Sequence, residues 1–504
     1  MFKKFILTAS ILVALISATV ALQTKIAPTP SSHITVALVG APYSADPIDY
    51  DAFIHHIAFR SVYLSIVSQY QLGRYTGVLA DQWHSDDRFQ KWVFHIRKEA
   101  RFENGDAITP EMIVRSWTRL AYLMKTKGSH SSFFDHLQGI ALLESPTSQI
   151  SGLTADSAQN IVTIQLDTPQ KNLLDTLSFG LYGVVHPGDY DPITGKWRDP
   201  HKVIASGPYK LTKWTDTTLR IERRADYPLE IGHAKPFSAI SFSWAPEQRA
   251  DANLVMGNSI DTDVRKSHAF VGGANSAIAY ARCRSWQLPD SPCHDRSTRI
   301  ALRDAYYAEL EKMGYPVTRS FFPLAIKGVK ELPATDLPPH LAGQTTVSSP
   351  GRPVKFAHTK MPNPLFIAFN AAAPLAIAHA GFTPVKAELP FATFIKEYDQ
   401  GLSSYAADMY MLATGILIED PMHDVQFMFF SQEGIRLPDA DGSIHAELKN
   451  QNPDIQKINQ LLWDQAIIWP ITHYASGFWS TNEIDFSLIN TVLPPTDFQW
   501  LGLK

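Results

Sequence analysis

The chain has 504 residues, 45% of them hydrophobic and 19% charged, with a formal charge of −4. That length gives room for two or three domains with their own cores, and the composition is that of an ordinary soluble protein. The slightly acidic balance argues against the basic face that a nucleic-acid partner would require.

At the start, Lys3 and Lys4 precede an uncharged apolar run over 5–20, and Thr19-Val20-Ala21 supplies small residues at its end. The pattern is that of a cleavable signal peptide over residues 1–21, with an uncleaved anchor as the alternative. No cysteine stands at this junction, so a lipoprotein anchor is not expected. Export to the periplasm is the expected destination. The run 27–32, rich in Pro and Ser, reads as a flexible lead-in. Residues 34–39 (ITVALV) read as a first strand, with Tyr43 in the loop behind it, and 51–67 reads as a helix. His55 and His56 are adjacent on that helix and point apart, so they suit packing or surface better than a metal.

The stretch 79–120 is the clearest. Trp92, Phe94 and Ile96 alternate with Lys91, His95 and Arg97, which is the period of a strand with one wet face. Asn104-Gly105-Asp106 tolerates a chain reversal. Thr109, Pro110 and Glu111 then supply an N-cap, a first-turn proline and a first-turn acid. Ile113, Trp117, Leu120 and Met124 recur at helical spacing and give the helix one buried stripe.

Leu79-Ala80-Asp81-Gln82-Trp83, Asp86-Asp87, Phe94-His95-Ile96-Arg97-Lys98 and Phe102-Glu103-Asn104-Gly105-Asp106 resemble, in order and spacing, a signature of the family 5 extracellular solute-binding proteins. These are the oligopeptide- and dipeptide-binding proteins of ABC importers. Ile96 stands for the usual Leu and Asn104 for the usual Asp.

Further along, Val162, Ile164 and Leu166 share a strand face, and 172–177 reads as a short helix after the Thr168-Pro169 break. Gly188 to Lys196 lacks the glycine spacing of a phosphate loop. Ala205-Ser206-Gly207-Pro208-Tyr209-Lys210-Leu211, Trp214 and the run 219–224 form a hairpin by pattern and resemble a second family segment. Pro228 replaces the tryptophan expected after Tyr227, and Ser206 has no catalytic partner in view. The run 253–263 resembles the element that closes this passage. An amphipathic helix over 299–313, the Phe321-Phe322-Pro323-Leu324 loop, an irregular 332–353, a helix over 391–398 and a strand over 407–412 follow. Asp439, Asp441 and Glu447 have incomplete spacing for a calcium loop. A helix over 454–469 leads to Pro470-Ile471-Thr472-His473-Tyr474, similar to the family's return to its first domain.

The resemblance implies an α/β fold of the periplasmic-binding type. It has two hinged lobes, in the large three-domain variety of the type II class. Domain I would comprise 33–62, 196–275 and 470–504, the inserted domain II 63–195, and domain III, the second lobe, 276–469. It implies a monomeric receptor that encloses a peptide or peptide-like solute and delivers it to the membrane subunits of an ABC importer. The alternative is a periplasmic sensor or chaperone-like binder without a transport role. No cofactor is expected. No H-E-x-x-H, G-x-S-x-G, Cys-x-x-Cys or dinucleotide glycine pattern occurs, and the 18 histidines are scattered, so an enzyme is the weaker reading.

By the match, Thr414, Gly415 and Leu417 face the cleft from the second lobe, Tyr474 sits near the hinge and Tyr43 comes from the first lobe's opening loop. Peptide-binding members pair an aspartate with the ligand's α-amine. Counting back from Asp420-Pro421, that position is Leu417 here. An apolar side chain cannot hold an ammonium, and only Glu419 among its neighbours points to the same side of a strand. N-blocked or murein-type peptides, or a non-peptide solute, therefore remain open. Cys283 and Cys293, the only cysteines, would close a small structural disulfide loop in an oxidising compartment, with two free thiols as the alternative.

Overall fold

Sequence alternation over 80–165 becomes strand pairing. The computed structural model describes residues 32–504 except 50–52, 72–73, 128–130, 132, 246–248, 250, 259–266, 325, 334–350, 360–363, 391–392, 394–405, 417–438, 449, 451–452 and 490–496. The signal-like segment, Leu417, Glu419 and most of 391–398 lie outside the described residues. After β1 (His33–Ala37), helix α1 (Phe53–Phe59) and the hairpin β2 (Val67–Gln71) and β3 (Arg74–Gly77), four antiparallel strands form one sheet. These are β4 (Ala80–Ser85), β5 (Lys91–Ile96), β6 (Leu153–Asp156) and β7 (Ile161–Gln165), in the order β4-β5-β7-β6. Trp92, Phe94, Ile96, Val162, Ile164 and Leu166 are buried in one cluster. Helix α2 (Pro110–Lys127) contributes Ile113, Trp117, Leu120 and Met124 to that same cluster, and the Trp117 indole N–H donates to the Tyr182 carbonyl at 2.9 Å. Gly105 takes a left-handed φ of 91° in the turn between strand and helix. Helix α3 (Leu173–Leu177) adds Leu173 and Leu177.

The expected helix over 51–67 is shorter than its pattern. It ends at Phe59 because the backbone beyond it pairs with the Ser206-Gly207-Pro208-Tyr209 turn instead. Gly207 N–H donates to the Val62 carbonyl at 2.8 Å, Tyr209 N–H to Ser61 at 3.2 Å, and Leu64 N–H to the Ser206 hydroxyl at 2.9 Å. Ser206 in turn donates to the Val184 carbonyl, so this buried hydroxyl joins three segments. A Cβ at Gly207 would stand 2.4 Å from the Ser61 carbonyl oxygen, which explains why a residue without one occupies the position.

A second sheet runs through the rest of the molecule. It has ten strands in the order β14-β13-β15-β12-β16-β11-β1-β10-β9-β8. The new members are β8 (Tyr209–Trp214), β9 (Thr218–Arg223), β10 (Ala239–Ser243), β11 (Leu254–Asn258), β12 (Ala269–Cys283), β13 (Pro353–His358), β14 (Thr383–Glu388), β15 (Met409–Ile416) and β16 (Ile468–Ser480). Helices α4 (Arg296–Lys312), α5 (Pro364–His379), α6 (Ser443–Leu448) and α7 (Ile455–Gln465) accompany its second half. The helix expected over 454–469 stops at Gln465, and Trp469 belongs to β16. Ala466 turns left-handed with φ 48°, and three arginines of α4 take the last carbonyls of α7. Arg303 donates to Trp463 at 3.1 Å, Arg296 to Asp464 at 2.5 Å and Arg299 to Gln465 at 2.9 Å. Cations at a helix C-terminus oppose its partial negative charge, so the stop is electrostatic as well as conformational.

The four-stranded sheet is fastened to the loop after β1 by a buried ion pair. Arg119 of α2 grips Asp46 with both guanidinium ends at 3.0 and 2.5 Å and donates to the Gly195 carbonyl at 2.7 Å. Its guanidinium carbon lies 4.8 Å from the Tyr190 ring centroid and 5.2 Å from that of Trp197. Nearby, both carboxylate oxygens of Asp189 accept from the Ile204 N–H, at 3.1 and 3.0 Å. Burial pushes the Asp189 carboxyl up to about 7 against the opposing pull of that N–H, and the Glu103 charge adds to the rise. The folded state therefore holds a proton that the unfolded chain releases near pH 4, roughly the ordinary aspartate value. Its stabilising contribution is full below about pH 4 and is lost as pH rises through about 7. Melting midpoints of the wild type and of Asp189→Asn, compared from pH 4 to 8, should drift apart in the variant's favour as pH rises. A constant difference between the two would remove Asp189 from this role.

Candidate functional site

Among the described residues, the two halves of the long sheet share β12 and β16. On the first side, β11 pairs with β16 from Leu254↔Ser480 to Asn258↔Ser476. On the second, β15 pairs with β12 from Ser276↔Ile416 to Cys283↔Met409. Between them the β12–β16 register breaks: Gly272 faces Gly477 and Ser276 faces Ala475. Gly273, Ala274 and Asn275 thus oppose Ser476 alone, a bulge placed where β11's support ends and β15's begins. A bulge with glycine in it bends and twists a ribbon more readily than a regular ladder does.

Immediately beyond the bulge, three strands align. Ala277 of β12 pairs with Gly415 of β15 on one side and with Tyr474 of β16 on the other. The next row joins Thr414, Ile278 and His473. Residues in one row share a face of the sheet and adjacent rows alternate. Thr414, Gly415 and Tyr474, singled out in the sequence, are therefore brought within two rows of one another although 414 and 474 are far apart in the chain. Tyr474 is half-buried and packs against the main core, and burial pushes its phenol well above the usual range. His473 is kept below the ordinary histidine value by burial, despite the Phe321 carbonyl 3.3 Å from Nε2, so the imidazole is neutral at pH 7. These two rows, with a glycine, an alanine and the Tyr474 and His473 rings, can offer backbone groups and apolar contact.

Tyr43 stands in a different element. Its N–H donates to His55 Nε2 at 2.9 Å, its ring meets the His55 ring edge-on at 4.1 Å, and its hydroxyl donates to the Asp49 carbonyl. The loop it occupies leaves the carboxyl end of β1, beside the parallel strands β10 and β11. In α/β sheets that end is where ligands are received. Leu417 and Glu419 follow directly in sequence on Ile416, the last residue of β15.

The row residues Ala277 and Ile278 were missed by sequence reasoning. The signal was present in Ala269-Phe270-Val271 and in Ile278 to Tyr280, two β-prone runs. The small residues of the bulge interrupt them, and glycine and asparagine there read as a loop. Cys283 and Cys293, expected to close a disulfide, are both fully buried with their sulfurs 3.0 Å apart and no bond between them in this structure. Among the described residues, no group of three or more His, Cys, Asp or Glu is arranged to hold a metal ion, and no helix is long and apolar enough to cross a membrane.

Comparison with known proteins places this geometry. Residues 74–270 match the family described as bacterial extracellular solute-binding proteins, family 5 middle. The chain is 24% identical over 159 residues to the periplasmic oligopeptide-binding protein OppA of Salmonella typhimurium, covering 30% of this chain and 28% of that protein. It is 29% identical over 176 residues to the periplasmic murein peptide-binding protein MppA of Escherichia coli, covering 34% and 32%. These matched stretches span about a third or less of the curated relatives. The solved structure of Escherichia coli MppA superposes with a TM-score of 0.72 at 17% identity, over 94% of this chain and 98% of that one. The periplasmic binding protein DppA of Helicobacter pylori, in complex with the peptide STSA, gives 0.71 at 16% identity, over 94% and 98%. The fold is a two-lobed α/β periplasmic-binding fold.

Proposed function

We propose that this chain is a family 5 bacterial extracellular solute-binding protein, a reading the match over residues 74–270 supports, and that it encloses a peptide or peptide-like solute between its two lobes and presents it to an ABC importer. The observation that carries the reading is the junction. Two long strands cross between the sheet halves, a bulge interrupts them at the changeover, and the candidate residues Thr414, Gly415 and Tyr474 lie beside it. Extended peptides are recognised through backbone hydrogen bonds at strand ends, with roomy pockets for varied side chains, and a junction built of small residues leaves backbone accessible. Closure is driven only by the solute's greater affinity for the closed state.

In this reading the lobes divide at 275/276 on β12 and, by the β12–β16 register, at 475/476 on β16 rather than at the 469/470 expected from the sequence, residues 63–195 form the inserted domain, and a periplasmic monomer does the binding. Gly415 and Tyr474 contact the solute from the hinge side, Leu417 and Glu419 extend that wall, Thr414 reaches it through its backbone from the neighbouring row, and Tyr43 faces it from the first lobe. Relatives described as peptide-binding, and a fold neighbour holding the peptide STSA, support the ligand class.

Small-angle scattering of the protein with a broad peptide library tests the reading. A smaller radius of gyration on addition of ligand is expected. Native mass spectrometry of freshly purified protein should show a retained small solute. An unchanged envelope across the library, together with a ligand-free mass, would remove the receptor assignment.

A further inference from the structure

We infer that Cys283 and Cys293 close an intramolecular disulfide that fastens the end of the lobe-crossing strand β12 to the start of helix α4. Cys283 is the last residue of β12, and Cys293 lies in the short turn Pro292–His294 just before Asp295, the N-cap of α4. They stand 10 residues apart in sequence with their sulfurs 3.0 Å apart, and both are fully buried. A disulfide needs about 2.05 Å between the sulfurs, so roughly 1 Å of closure suffices.

Non-covalent contacts hold the two cysteines in register from several directions. The Arg284 N–H donates to the Asp408 carbonyl at 2.7 Å, and the Asp408 carboxylate accepts from the Ser285 hydroxyl at 2.6 Å. Ser291 donates to the same carboxylate oxygen at 3.3 Å and accepts from Cys293 N–H at 3.0 Å. Arg299 donates to the Cys293 carbonyl at 3.0 Å. The native contacts thus hold the loop between the cysteines in a geometry that accommodates the bond with about 1 Å of closure.

The chemistry is ordinary thiol–disulfide exchange with a disulfide oxidant, RSSR. One cysteine thiolate attacks a sulfur of RSSR and expels one RS⁻. The second cysteine then attacks the protein-side sulfur of the mixed disulfide and expels the other. Two protein thiols lose two protons and two electrons, and two RSH are released. Only the thiolate attacks. In the folded protein, burial and the adjacent Cys293 thiol hold the Cys283 thiol well above its usual range. Exchange therefore belongs to folding, before this core closes. Once formed, the bond is inert in the native state and is no switch.

The test uses the full chain, reduced and unfolded, then refolded with glutathione disulfide and quenched with iodoacetamide in denaturant. Intact mass should show no carbamidomethyl adduct and a mass about 2 Da below the dithiol. Dithiothreitol followed by iodoacetamide should label both cysteines in denaturant and neither in native buffer. Reduction should lower the melting midpoint of the wild type by about 3 °C, the order expected for a short closed loop in a chain of this size. The Cys283→Ala/Cys293→Ala double variant should melt identically with and without reductant. Two carbamidomethyl adducts after oxidative refolding, or stable glutathione adducts on either cysteine, would overturn the inference. This outcome is independent of what the cleft binds.

Discussion

Replacing Arg119 by methionine is expected to lower the unfolding free energy by about 3–5 kcal/mol, the usual consequence of removing one partner of a buried ion pair. Methionine keeps most of the length and apolar contact of the side chain while removing its charge. The Asp46 carboxylate, 3% exposed, then loses the cation that pairs with it. The Gly195 carbonyl loses its donor, and Tyr190 and Trp197 lose the guanidinium between them. Urea denaturation of Arg119→Met, Asp46→Asn and the double variant separates these terms. The double variant should be closer to wild type than the sum of the two single losses, because it leaves no orphaned charge. A loss below about 1 kcal/mol in Arg119→Met would mean that water reaches Asp46 and the pair behaves like a surface bridge.

The second large effect concerns ligand choice. Leu417→Asp is expected to tighten binding of peptides with a free α-amine by about tenfold or more, since a charge-assisted hydrogen bond contributes roughly 1.5–3 kcal/mol and tenfold is about 1.4. The expectation rests on the resemblance read in the sequence, which sets Leu417 at the position where peptide-binding members of the resembled family pair an aspartate with the α-amine. Calorimetric titration with one peptide in free and N-acetylated forms reads it directly. The variant should prefer the free amine, and the wild type should not discriminate in its favour. No gain for the free amine in the variant would show that the match is out of register or that the solute is not a peptide.

Local features were legible in the sequence, and distant ones were not. The strand, turn and helix between residues 80 and 127 follow from alternation, an Asn-Gly turn and a proline-led cap, all of which act within a few residues. The pairing of Arg119 with Asp46 spans 73 residues and leaves no periodic trace. The ends of α1 and α7 were overrun because helical spacing continues past them in sequence. The backbone instead pairs with Ser206-Gly207 in one case and is capped by three arginines from another helix in the other. Of the candidate site, Thr414, Gly415 and Tyr474 were singled out through family resemblance, while Ala277, which pairs with Gly415 and Tyr474, and Ile278, which pairs with Thr414, were hidden by the bulge beside them. A signal built from small residues resembles a loop until strands on both sides are known.

The order of strands in the long sheet also sets a timetable for synthesis. β1 is made first, yet its two neighbours are β10 and β11, and β11 pairs next with β16, which begins at Ile468. The half of the sheet around β1 therefore cannot be completed until nearly the whole chain has left the ribosome. The four-stranded sheet and α2 lie within residues 80–165 and can close while the rest is still being made. Closing such long loops is entropically slow, and contacts of high sequence separation delay the rate-limiting step. The nascent chain thus carries one early-folding unit and a large sheet held open until late. Chaperones that bind exposed apolar strands would find β1 unpaired until β10 and β11 are made, and the β11 edge open until β16 appears.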